Sequence, residues 1–127
     1  MEKNVNVINW FEIPVSDFAR AKKFYEILLD FQMGDREMGP LRRGFFPYEM
    51  GSGKISGSIV SGPGYVPNKE GVLVYFNCHP DLSPTLARVE GAGGKIVMQK
   101  TEIAPGMGFT AFFIDTEGNR VGLHSQK

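Results

Sequence analysis

The side chains best suited to chemistry in this 127-residue chain are Glu12, Tyr75, Asn77 and His124, each set in a stretch with strand-like residue preferences. Residues 5–15 alternate so that Phe11, Ile13 and Val15 share one face and Trp10, Glu12 and Pro14 the other. Tyr75 and Asn77 lie two apart in the run 72–78, and Gly122 and His124 two apart in the run 119–125, so each pair occupies one face of its strand. Histidine titrates near neutral pH and a carboxylate can orient it, which makes Glu12 and His124 the candidate catalytic acid–base pair. With the Trp10 indole, one carboxylate, one imidazole, one phenol and one amide compose a small-molecule pocket: apolar walls with a few orienting polar groups.

Each residue also has a plainer reading. Glu12 reads as a rim carboxylate paired with an arginine, Trp10 as core, and His124 as an exposed residue three from the end. His79 precedes Pro80 in a loop-like stretch and is expected to be exposed. Cys78 is the only cysteine and reads as a buried thiol, which excludes a disulfide framework and a cysteine-rich zinc motif. Met33, Met38 and Met50 read as packing residues, and Lys22, Lys23, Arg42 and Arg43 as a solvated face. Gly51-Ser52-Gly53 is a turn rather than a phosphate loop, because no Gly-Lys-Ser/Thr precedes a helix. No nucleophile elbow or dinucleotide fingerprint appears.

The elements that must position these residues repeat. After the first strand, Ser16 and Asp17 are helix-capping residues, and Phe18, Ala21, Tyr25 and Leu28 recur at helical spacing to about Asp30. Strand-like stretches follow at about 31–38, 42–50 and 55–61, separated by Gly39-Pro40 and Gly51-Ser52-Gly53. A Gly/Pro-rich segment, 62–71, then divides the chain. The second half has a strand at 72–78 and a helix opening at Ser83-Pro84, with Leu82, Leu86 and Val89 as its apolar stripe. Strands at about 95–102, 107–115 and 119–125 close it. Both halves read βαβββ, giving an α+β domain with modules at about 5–62 and 71–125 joined by a linker at 63–70. Asp17 echoes Asp81 and Gly44-Phe45 echoes Gly108-Phe109 at a shift of 64.

Composition bounds the function. The length suits one domain, and 42% hydrophobic with 22% charged residues is globular. Fourteen basic and fourteen acidic residues cancel, so no net field draws the chain to nucleic acid or an anionic membrane. No apolar run reaches the ~20 residues of a membrane span, and Met1-Glu2-Lys3-Asn4 opens no signal-peptide apolar region. The expected location is the cytoplasm.

The segment Pro14-Val15-Ser16-Asp17 leading into Ala21-Lys22-Lys23-Phe24-Tyr25 resembles the first strand and helix of the vicinal-oxygen-chelate superfamily of glyoxalases, bleomycin-resistance proteins and extradiol dioxygenases. Gly91-Ala92-Gly93-Gly94-Lys95 resembles the exit of its second helix, and Phe112-Phe113-Ile114-Asp115 through Leu123 its last hairpin. The resemblance implies two modules forming a curved mixed sheet around a cleft. It also implies a divalent metal held by His, Glu or Gln at positions that here are Trp10, Leu73 and Gly122. On the fourth strand the choice lies between Gly57 and the pair Ser56 and Ser58; alternation would bury Ile55 and Ile59. None of these is a good ligand, so the expectation is no metal and no cofactor. The cleft would bind a small, partly aromatic molecule through Trp10, Glu12, Tyr75, Asn77, Gly122 and His124. The alternative implied by the resemblance is a metal-dependent lyase, isomerase or dioxygenase using the shifted ligands Glu12, His124 and Asn77. A third reading, from another class, is a protein-interaction module presenting Tyr65 and Val66 on the central loop.

Symmetric dimers are the default oligomer, and the resemblance implies two-fold pairing with the cleft at or beside the contact between βαβββ units. A homodimer is therefore expected. Light scattering at micromolar concentration should give about twice the chain mass, and a monomer would contradict it.

Overall fold

Pro14 lacks the N–H a ladder needs, so the first strand stops there and the chain turns into a helix. In the computed structural model, which describes residues 2–127, this strand is β1 (Trp10–Pro14) and the helix α1 (Phe18–Leu29). Asp17 caps α1, its carboxylate accepting the Arg20 N–H at 3.1 Å. The stripe Phe18, Ala21, Phe24, Tyr25 and Leu28 is buried. Strands β2 (Gly34–Met38), β3 (Leu41–Phe45) and β4 (Ser56–Ser61) complete the first module. The second comprises β5 (Tyr75–Asn77), α2 (Ser83–Ala87), β6 (Lys95–Glu102), β7 (Phe109–Ile114) and β8 (Arg120–Ser125). The modules form two four-stranded mixed sheets, ordered β1-β4-β3-β2 and β5-β8-β7-β6. The first strand of each is parallel to its last, and the remaining pairs are antiparallel. Among the described residues no helix is long and apolar enough to cross a membrane.

Several strands are shorter than their residue preferences suggest. β1 begins at Trp10 because its partner β4 begins at Ser56, and β5 pairs over three residues only. Ile55, expected to be buried, precedes β4 and is exposed. Of the methionines read as packing, Met33 is buried but Met38 and Met50 are exposed. α2 opens at Ser83-Pro84 as expected, its N-cap being Leu82, which offers no side-chain cap.

The two modules share one core. Phe24 of α1 packs 5.8 Å from Phe113 of β7, and Phe11 of β1 meets Phe76 of β5 edge-on at 5.8 Å. Phe24, Leu28 and Phe113 are fully buried, worth about 1.5–3 kcal/mol each.

The β7–β8 turn fastens this packing. Asp115 Oδ1 accepts the Glu117 and Asn119 N–H groups, and Oδ2 accepts the buried Tyr25 hydroxyl at 2.7 Å. Asn119 Nδ2 donates to the Pro14 carbonyl at 2.7 Å. Glu117 accepts the Ser16 and Asp17 N–H groups and pairs with Arg20 at 2.8 Å, its side chain fully buried. Burial pulls the Glu117 pKa upward, but the Arg20 guanidinium and the Asp17, Thr116 and Ser16 donors outweigh it and hold the carboxyl down at about 2.

A folded pKa of about 2 against 4.5 for a free glutamate means the folded state favours the ionised form. The stability this supplies is complete above pH 4.5 and is lost as pH falls toward 2, amounting to roughly 3 kcal/mol at most. Glu117→Gln should flatten the acid limb of stability, read by urea denaturation between pH 6 and pH 2.5. An unchanged limb would contradict this assignment.

Candidate functional site

Strand register decides which side chains gather opposite the core. In the first sheet Trp10 pairs with Ser56 and Glu12 with Ser58, while Phe45 and Arg43 of β3 pair with Ser58 and Val60. Trp10, Glu12, Arg43, Phe45, Ser56 and Ser58 therefore share one face. Gly57 lies on the core face beneath the Phe11 ring, which places the two serines rather than this glycine beside Trp10. In the second sheet Tyr75 pairs with Gly122 and Asn77 with His124, flanked by Phe112 and Thr110 of β7.

Between the edge strands β1 and β5 runs a groove of about 1080 Å³, lined by Trp10, Glu12 and Ser56 on one side and Leu73, Tyr75 and Asn77 on the other. Trp10 anchors an aromatic wall, with Phe45 tilted at 6.3 Å and Tyr48 edge-on at 5.5 Å. Opposite, the Tyr75 ring lies over Gly122: a Cβ there would stand 2.6 Å from Tyr75 Cδ1. Gly122 thus lets an aromatic ring rest on the sheet, its centre 5.8 Å from that of the Phe112 ring. The Ser56 and Ser58 hydroxyls are buried without a hydrogen-bond partner.

Glu12 is fully engaged. Arg43 donates to Oε2 through Nε and Nη2 at 3.1 and 3.0 Å, and the Tyr65 hydroxyl donates to Oε1 at 2.9 Å. The hydrogen bond to Glu12 raises the Tyr65 pKa. Arg43, expected on a solvated face, is instead mostly covered, with 19% of its side chain exposed. Tyr65, expected at the centre of an interaction surface, turns inward, while Val66 beside it remains exposed.

His124 lies elsewhere. Its Nε2 is 3.1 Å from the Met107 carbonyl and its ring centre 5.6 Å from that of His79. With Tyr75, Asn77, Ile103 and Thr110, these histidines line an adjoining pocket of about 580 Å³. Glu12 and His124 line different pockets and share no partner, so the expected acid–base pair does not assemble. The cause is topological: His124 sits on β8, behind edge strand β5, whereas Glu12 turns toward β3 and the linker. Tyr75 and Asn77 line both spaces. Sequence reasoning placed Arg43 and Tyr65 in other roles and missed Tyr48 beside Trp10; the signal for Arg43 was its period-two spacing from Phe45 in β3.

At the positions where the resemblance calls for metal ligands stand an indole, an isobutyl group and a glycine covered by Tyr75. Among the described residues no three His, Cys, Asp or Glu side chains gather as a metal-binding group. This donor set does not fit a divalent ion there.

Tyr65→Phe removes the tether between linker and β1. Faster amide hydrogen exchange across 62–71, with an unchanged unfolding midpoint, is the expected result; unchanged exchange would show that the bond does not hold the linker.

Residues 7–123 match the Glyoxalase/Bleomycin resistance protein/Dioxygenase superfamily. The chain is 31% identical over 114 residues to a glyoxylase-like domain-containing protein of Didymella fabae, covering 88% of each. Its fold is similar to a glyoxalase I mutant from Zea mays (TM-score 0.70, 20% identity), covering 92% of this chain but only 46% of the maize chain. It is also similar to TnmS3, an antibiotic binding protein from a Streptomyces species (TM-score 0.60, 23% identity, 99% of this chain and all of that one). A glyoxalase/bleomycin resistance protein from Albidiferax ferrireducens aligns with TM-score 0.67 at 15% identity, over 96% of this chain and the whole of its own. The chain belongs to the glyoxalase/bleomycin resistance protein/dioxygenase superfamily.

Proposed function

We propose that this protein binds a small, neutral, partly aromatic molecule in the groove between β1 and β5, without a divalent ion at the family's metal position. The observation that carries this reading is the pair of aromatic side chains on the two groove walls, Trp10 and Tyr75, with Gly122 making room for the Tyr75 ring. Planar rings in offset or edge-on contact gain about 0.5–1.5 kcal/mol beyond area burial. Neutrality follows from the charges: Arg43 and Tyr65 occupy the Glu12 carboxylate, leaving Lys54 as the other charged lining residue. A cationic ligand entering the groove would lose hydration and find no free carboxylate beside the aromatic walls, and an anionic one would find only the Lys54 ammonium. Asn77 and the unpartnered Ser56 hydroxyl supply orienting hydrogen bonds. A binding role is compatible with the fold, since a protein of similar fold is an antibiotic binding protein.

Trp10 is the only tryptophan, so its fluorescence reports on the groove directly. Titration with a panel of neutral bicyclic aromatic compounds should give saturable quenching, unchanged by EDTA and weakened about tenfold or more by Tyr75→Ala. Binding that disappears with EDTA, or turnover of a ligand that requires an added divalent ion, would favour a metal-dependent enzyme instead.

A further inference from the structure

We propose that His79 and His124 together bind a borderline transition-metal ion, such as Zn(II), Ni(II) or Cu(II), in the pocket beside β5, away from the positions where the resemblance would put metal ligands. These are the only two histidines of the chain, and folding brings them together from the segment after β5 and from β8. Their ring centres are 5.6 Å apart. Two imidazoles bound to one ion at M–N distances of about 2.0–2.1 Å place their ring centres about 5–6 Å apart, so the observed spacing needs little rearrangement.

The tautomer of His124 also suits ligation. The Met107 carbonyl can only accept, so the Nε2 facing it at 3.1 Å carries the proton, and Nδ1 holds the lone pair. A histidine that donates its other N–H to a backbone carbonyl has the arrangement that orients metal ligands and raises their basicity. His79 is exposed and able to reorient. On the same sheet face His124 is flanked in register by Asn77 and Thr110. The Thr110 hydroxyl is buried without a partner and lines this pocket. It gives a metal-bound water a hydrogen-bonding neighbour, and Asn77 offers an amide oxygen that now accepts the His79 backbone N–H. Imidazole nitrogen selects Zn, Ni and Cu over Mg or Ca, and solvent fills the remaining positions.

The test uses untagged, chelator-stripped full-length protein titrated with ZnCl2 or NiCl2 by calorimetry, and NMR of its two imidazoles during addition of Ni(II). One ion per chain, with both imidazole spectra perturbed together, is expected. His79→Ala and His124→Ala should each weaken binding by at least about tenfold, while Glu12→Gln leaves it unchanged. Because His79 is exposed, its variant remains informative should the β8 variant fold poorly. Absence of saturable binding, undiminished affinity in His79→Ala, or dependence on Glu12 would overturn the proposal.

Discussion

The Asp115 carboxylate holds the two modules in their relative positions. One oxygen shapes the β7–β8 turn through the Glu117 and Asn119 amides, and the other accepts the Tyr25 hydroxyl from α1 in the shared core. Leaving either group unpaired there would cost about 1–3 kcal/mol, which is why the turn cannot drift from the helix. Asn119 and Glu117, aimed by the same turn, grip the end of β1 and the start of α1. These contacts pin β1 beside β5. The groove is the space those two edge strands leave, so its shape depends on a turn that does not line its main walls.

Within that frame, two of the three positions where the resemblance would put metal ligands, Trp10 and Gly122, stand among aromatic side chains. Trp10 extends into a wall with Phe45 and Tyr48, and Gly122 lies flat under Tyr75. A larger residue at 122 would push Tyr75 off the sheet. The one carboxylate on the groove, Glu12, is neutralised by Arg43 and roofed by Tyr65 from the linker. The neighbouring pocket carries the polar side chains of His79, His124, Asn77 and Thr110.

Much of this was legible in local spacing. The α1 stripe and the opposed faces of Phe11/Ile13 and Trp10/Glu12 follow from periods of 3.6 and 2, and the βαβββ repeat from element order. Pairings between distant segments were not legible. Tyr25 and Asp115 are 90 residues apart, and Glu12 finds Arg43 and Tyr65 at separations of 31 and 53. Strand ends were overextended because a ladder stops where its partner stops, which residue preference does not record. The Tyr75 ring over Gly122 left no local signal, because it belongs to another strand.

A crystal structure of the protein with a neutral aromatic ligand, grown in the presence of a chelator, tests the central claim most directly. The ligand is expected in the β1–β5 groove, in contact with the Trp10 and Tyr75 rings, with the Glu12–Arg43 pair intact. A ligand bound outside the groove, or one seen only when a divalent ion bridges it to the protein at the Trp10–Leu73–Gly122 position, would contradict it.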